Sequence, residues 1–425
     1  MKHLRNITLT VLIVALLTAF TSTQANVAPR LEVFSWLASQ GVDEGLSTMM
    51  SEYTQSYPNI QLVNAAIAGG YGITAKAVLN TRMLGGNPPD TFQVHAGAEL
   101  QSLWVAARRV ENLNHLFNTN GWWGQFSQQL ISMVSDPAGN VYAVPTNIHR
   151  SNVMWFAPAN LATWGVSAPT TWNEFVTVTC PALQAQGITP LVVGETWTLS
   201  HLWESVALSV LGSSGYNGLW NGQTAWNSAV MQTVWSTFDS ILDCANTDGE
   251  QMTWQTVVER VMNGEGAFTV MGDWTVSYVE HVMNLEARTD YDWVASPGTA
   301  GVFMMSVDSF ALPVAANNPS AALNWLNEIG LAQTQASVSE MTGTLPANMN
   351  ALNHMTIEPA SYLESALNDL RSQVVVGSQR HGAVAPQNFE AGFMNIVTEY
   401  SVLRDVNQAI NQSTALALQN DLGVR

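Results

Sequence analysis

The sequence predicts an α/β protein of two lobes, each a sheet flanked by helices, joined by a hinge of several short crossings. Three observations carry this. Apolar residues make up 47% of the 425-residue chain and charged residues only 11%, enough to fill a large core. Strand-like and helix-like periods alternate along the chain, the order that builds parallel sheet. The length exceeds one packed unit, yet no Gly/Ser-rich or Pro-rich tether and no short repeat divides it.

At the N-terminus, Lys2 and Arg5 precede an uncharged apolar run over residues 7–20 and the small polar stretch Thr21-Ser22-Thr23-Gln24-Ala25. This pattern predicts a secretory signal peptide over residues 1–25, cleaved before Asn26. No cysteine lies near that junction to carry a lipid, and no later stretch is long and apolar enough to span a bilayer. The expected product is free in a periplasm, with no stable membrane insertion.

Residues 31–36 read as a buried strand, followed by the turn Ser39-Gln40-Gly41. Leu46, Met49, Met50 and Tyr53 recur at helical spacing, and Tyr57-Pro58-Asn59 stops that helix before a strand over 60–63. A helix over 74–84, a Gly/Pro break over 85–89 and a strand over 91–94 complete the repeat. Residues 139–145 read as a hairpin-like turn leading into a strand over 153–156, and Thr171 as the cap of a helix whose third position is Glu174. Alternation continues to about residue 297, strand character returns over 303–313, and mainly helical segments finish the chain. The expected division is one lobe of 26–146 plus about 300–350 and another of 147–299 plus about 351–425.

With 14 Lys+Arg against 32 Asp+Glu, the net charge of −18 makes nucleic acid and anionic membranes poor partners. Beyond Lys2 the only lysine is Lys76. Two cysteines in an exported chain favour a structural disulfide between Cys180 and Cys244 over two buried thiols. There is no phosphate loop, zinc helix or nucleophile elbow. His95, His115, His149, His201, His281, His354 and His381 are scattered singly, so neither a metal site nor a cofactor is expected.

Tryptophan is unusually frequent, with 16 in the chain. A sugar ring has apolar C–H faces and polar hydroxyl edges, so a site for it wants flat aromatic platforms beside fixed carboxylates or amides. The plainer reading is that most of these indoles fill the core.

Several segments, in order, resemble the landmarks of ABC-transporter extracellular sugar-binding proteins of the family 1 solute-binding type. They are Leu31-Glu32-Val33-Phe34-Ser35-Trp36, Thr91-Phe92-Gln93-Val94-His95, the stretch 261–274 ending in Met271-Gly272-Asp273-Trp274, Asp308-Ser309-Phe310-Ala311-Leu312-Pro313 and Gly343-Thr344-Leu345-Pro346-Ala347. The nearest likeness is to the glucose-binding branch. The resemblance implies a periplasmic-binding-protein-like fold whose two lobes close by hinge motion on a sugar. It implies Trp36 and Trp274 as platforms, His95 and His381 as polar contacts and Asp308 as hydroxyl acceptor. The branch's acid behind its glycine pair falls on Asp43 and Glu44, its lysine before the later turn on Thr342, and its second tryptophan on Leu37. These departures leave a pocket with different polar partners, for a mono- or small oligosaccharide. The implied partners are that sugar and the permease subunits of an ABC importer, with the receptor a monomer. The alternative is a secreted carbohydrate-active enzyme, which needs two carboxylates about 5 to 9 Å apart across the scissile bond, from among Glu265, Asp273 and Asp308.

Overall fold

The computed structural model describes residues 29–422; the signal-peptide expectation for 1–25 lies outside the described residues. Among the described residues, eleven strands form two sheets. In chain order they are β1 (Arg30–Phe34), β2 (Gln61–Asn64), β3 (Thr91–His95), β4 (Ala143–Arg150), β5 (Val153–Phe156), β6 (Thr189–Leu191), β7 (Gly266–Val270), β8 (Asp292–Ala295), β9 (Val302–Ala311), β10 (Leu345–Pro346) and β11 (Val374–Gly377). The larger sheet runs β10-β4-β9-β3-β1-β2 with β11 beside β9, and the smaller runs β6-β7-β5-β8. The result is a two-lobed α/β protein, as the alternating periods imply.

The parallel trio β2-β1-β3 arises from the first strand, helix, strand repeat. Leu31 and Val33 of β1 are fully buried, and Leu46, Met49 and Tyr53 of the helix Asp43–Ser56 face inward. β1 is shorter than its apolar run. After Phe34 the Ser35 hydroxyl donates to Gln93 Oε1 (2.5 Å) and accepts from the Leu37 amide (2.9 Å), which turns the chain out of the sheet.

β4 departs most from expectation, because an eight-residue, wholly buried strand begins within the stretch 139–145 that reads as a turn and runs on to Arg150. It pairs antiparallel with β9, and the register shifts between Pro145 and Asn147. Proline has no N–H for the ladder, so the strand accommodates it with a bulge. β10 and β11, both in a region that reads as helical, join the same sheet.

Three segments connect the sheets. Residues 151–152 link β4 to β5, residues 296–301 link β8 to β9, and residues 378–386 link β11 to the helix Gln387–Leu403. That helix packs on the long helix Thr196–Asn221 of the smaller-sheet lobe. Two large apolar clusters result, and most of the tryptophans lie inside them, Trp36, Trp104, Trp122, Trp254, Trp274 and Trp325 among those in one and Trp172, Trp203, Trp226 and Trp235 in the other.

Thr171 caps its helix, accepting from the Glu174 amide at 3.1 Å. Cys180 and Cys244 are bridged, with Cα atoms 5.9 Å apart and a sequence separation of 64. Replacing both by serine is expected to remove up to about 4 kcal/mol of stability, from the freed loop entropy of the unfolded chain. The check is thermal unfolding with and without reductant: wild type falls toward the variant on reduction, and an unchanged Tm overturns the expectation.

Candidate functional site

Register across three strands builds the floor of the interlobe cleft. Asp308 on β9 lies opposite His95 of β3 on one side and Asn147 of β4 on the other. The bulge at Pro145 sets the second pairing and places His149 two residues on, along the same face.

From Asp308 a line of ionisable groups runs both ways. His149 Nε2 donates toward Asp308 Oδ2 (3.4 Å), and His149 Nδ1 donates to Asp273 Oδ1 (2.7 Å), just after β7. On the other side, His95 Nε2 is 3.7 Å from Asp308 Oδ1 and His95 Nδ1 is 2.8 Å from Glu99 Oε2. Lys76 Nζ donates to the same Glu99 oxygen at 2.7 Å and lies 3.3 Å from Glu390, which also pairs with Arg380. All eight residues are at most 8% exposed. The line begins beside the smaller sheet, crosses the larger one, and ends on the Gln387–Leu403 helix that packs back on the smaller-sheet lobe.

Each charge is held by its neighbours against the cost of burial. Burial alone opposes the imidazolium, yet Asp273 and then Asp308 push the His149 pKa up to about 10. Burial alone would raise the Asp308 carboxyl, but the hydrogen bond and charge of His149 hold it below the ordinary range. Burial is likewise outweighed at Glu99, which Lys76 and His95 bring down to about 2.

Trp274 and His381 adjoin this line from the other side. The Trp274 ring folds back over Gly272, where an added Cβ would lie 2.2 Å from the indole. Its centroid is 5.0 Å from His381, 5.7 Å from His201 and 6.0 Å from His149. His201 Nδ1 and His381 Nε2 share a hydrogen bond at 3.0 Å. Burial, and then neighbouring positive or histidine groups, depresses both rings, His201 to about 3. Glu204 lies within reach of both histidines, a grouping that offers three metal-ligand atoms. Its oxygens, however, already accept from Ser378 Oγ (2.8 Å) and the amides of Gln379 (2.9 Å) and Arg380 (3.0 Å), so the trio anchors the 378–381 turn to the long helix.

Two spaces remain beside this floor. An outer cavity of about 520 Å³ is walled by Trp36, Ser39, Gln40 and residues 68–70 on one side and by Glu195, Trp254, Gln255, Glu259 and Tyr278 on the other. Gln255 Nε2 bridges its rim to Ser39 Oγ (3.2 Å) and Gln40 O (3.3 Å). An inner pocket of about 30 Å³ is lined by Leu37, Asn147, His149, Trp274, Asp308 and Thr342, among others. That is about one water's share of liquid volume.

The structure brings five of the sequence-predicted residues into one continuous cluster. Trp36 and His95 are 4.7 Å apart by centroid, His95 and His381 5.8 Å, and Trp274 and His381 5.0 Å, with Asp308 beside His95. Thr342 joins at the inner pocket, its hydroxyl 2.7 Å from Thr344 Oγ1, which accepts from Asn147. Asp43 and Glu44 line neither space. They sit on the first turn of their helix, where Glu44 Oε1 accepts from the Gly41 amide (3.3 Å), and burial, with Asp43 adjacent, raises the Glu44 carboxyl. Trp36 is enclosed by Gly72, His95 and Lys76 and only 5% exposed, so a strip of ring rather than an open face reaches the cavity. Sequence reasoning missed Glu195, Trp254, Gln255, Glu259 and Tyr278, as well as Lys76, Glu99, His149 and Glu390. The lone lysine at 76 is the one signal that could have been followed, since an isolated charge on an inward helix face needs buried partners.

Of the carboxylates weighed for catalysis, Asp273 and Asp308 both hold His149 from its two ends, and Glu265 lies on the surface beside Arg260. None of the three faces another across open space.

Fold and cleft together define a two-lobed α/β binding protein. The chain belongs to the bacterial extracellular solute-binding protein family, whose profile matches residues 48–362. It is 29% identical over 397 residues to an ABC-transporter extracellular-binding protein of Pyrococcus horikoshii, covering 92% of this chain and 88% of that one. A probable sugar-binding periplasmic protein of Rhizobium meliloti is 24% identical over 421 residues, covering 97% of each chain. Among solved structures, a chitin oligosaccharide binding protein superposes with a TM-score of 0.80 at 15% identity, over 93% of this chain and 100% of its own.

His149→Gln removes the cation between two buried carboxylates and is expected to cost roughly 3–5 kcal/mol at pH 6. The His149 pKa is raised on folding, so its contribution is fully present below its ordinary 6.5 and lost as pH rises through about 10. Denaturant unfolding of both proteins from pH 6 to 10 reads this out. The gap narrows with rising pH, and a constant gap overturns the assignment of charge to His149.

Proposed function

We propose that this protein is an extracytoplasmic receptor that captures a mono- or small oligosaccharide between its lobes and presents it to the permease of an ABC importer. The observation that carries this is the convergence of indole rings and carboxylates from both lobes on one cleft, the combination a polyhydroxylated ring requires. Membership in a solute-binding family supports capture rather than hydrolysis, and the sugar-binding names of the relatives support the ligand class. In this reading Trp274 and Asp308 contact the sugar at the inner pocket, with Thr342 beside them. Trp36 stands at the wall of the outer cavity. His95 and His381 set the polarity of the floor, and Asp43 and Glu44 mark the lip of the large-sheet lobe.

The receptor is monomeric, periplasmic and processed after Ala25. Its lobes comprise 26–146 with about 300–350 and 147–299 with about 351–425, with β4 straddling the border and β11, inside 351–425, pairing back into the larger sheet. The inner pocket is too small for a ring as it stands, so lobe separation must precede entry and closure must follow it.

Tryptophan fluorescence titrated with a saccharide panel is expected to respond at micromolar concentration, with the sugar recovered chemically unchanged. Asp308→Asn is expected to weaken binding roughly 10- to 100-fold, the worth of a hydrogen bond to a charged acceptor. Binding at full strength in that variant would remove Asp308 from the site. Release of new reducing ends would return the enzyme reading.

A further inference from the structure

Resting on the sugar reading above, we propose that the ligand is a chain of at least two sugar rings, with the outer cavity seating the ring or rings beyond the one at Trp274 and Asp308. Volume is the first argument. A hexose of about a dozen heavy atoms occupies on the order of 200 Å³ at interior packing density. The outer cavity offers about 520 Å³, more than a single ring fills.

The chemistry of the wall is the second. Glu195 is half-buried on the cavity wall, and its carboxylate has no hydrogen-bond or ion-pair partner among the described residues. Glu259, by contrast, accepts from the Tyr278 hydroxyl at 2.5 Å. A partly buried, unpartnered acceptor lining a cavity is suited to a ligand hydroxyl. Trp254 and Tyr278, ring centroids 5.4 Å apart, supply the apolar surface beside it.

The third argument is how the two spaces are divided. Gly41 has a φ of +89°, and an added Cβ there would lie 2.6 Å from the Tyr278 ring, so backbone and phenol meet as closely as the chain allows. Gly41 lines the inner pocket and Tyr278 the outer cavity. Tyr278 follows Trp274 by four residues, one helical turn, so one short helical stretch carries an aromatic ring for each space. Parting Gly41 from Tyr278 joins inner pocket and outer cavity into a single trough. Its far end opens at Gln40, Ala68, Gly69 and Thr253, all exposed, so a chain has room to continue outward.

Isothermal titration of the secreted full-length chain with glucose, maltose, maltotriose, cellobiose, xylobiose and N-acetylchitobiose tests this. The expected result is at least tenfold tighter binding of one disaccharide or trisaccharide than of its own monosaccharide. Glu195→Gln, which keeps side-chain volume, is expected to weaken that longer ligand at least fivefold more than the monosaccharide. Trp254→Ala should do the same, and because Trp254 is 3% exposed its result is read only where circular dichroism shows a folded protein. A monosaccharide bound as tightly as every longer member, or a longer ligand indifferent to Glu195→Gln, overturns the proposal and leaves the sugar reading standing. Heat with no saccharide of any length overturns both.

Discussion

Eight ionisable side chains lie in single file beneath the cleft, from Asp273 through His149, Asp308, His95, Glu99 and Lys76 to Glu390 and Arg380. No member is tolerable there alone, because an isolated buried charge costs far more than any single contact returns. Setting each carboxylate beside an imidazole, ammonium or guanidinium solves this, and it makes every position depend on the next. The file also joins the lobes, since both its ends lie on the smaller-sheet side and its middle crosses the larger sheet. Lobe position and side-chain protonation are therefore one problem: moving Glu390 away from Lys76 exposes a charge, and so does neutralising His149.

Strand register puts the file together, and register is where sequence legibility ends. The first repeat was readable because its signals are local: Leu31 and Val33 alternate, Leu46, Met49 and Tyr53 recur at helical spacing, and Tyr57-Pro58 stops the helix. β4 was not, because Pro145 and the polar run Asn147, His149 and Arg150 argue against a buried strand unless their partners are known. Those partners, Asp273, Asp308 and Asp369, lie more than 100 residues away. Val374-Val375-Val376 is apolar enough for a strand, but so short a run is decided only by an open edge on β9.

The candidate site was legible in part for the same reason. Trp36, His95, Trp274, Asp308 and His381 are brought together as the family resemblance implies. What each indole does could not be read, since a core and a sugar platform both demand a large flat apolar ring. Trp36 and Trp274 turn out to be more than nine-tenths enclosed, and so does Trp254, unremarked in the sequence, which borders the larger space together with Trp36. Asp43 and Glu44 show the limit of carrying a position across relatives: the chain places Val42 nearer the inner pocket and turns the acids onto the next helical turn.

Lys76 carries a consequence outside recognition. It is the only lysine beyond Lys2, and its ammonium is sealed between two carboxylates under the Trp36 ring. The described surface thus presents its positive charge as guanidinium and imidazole alone, with no side-chain primary amine. Among the described side chains, amine-directed acylation or crosslinking has one target, and its modification at Lys76 reports the parting of the interior.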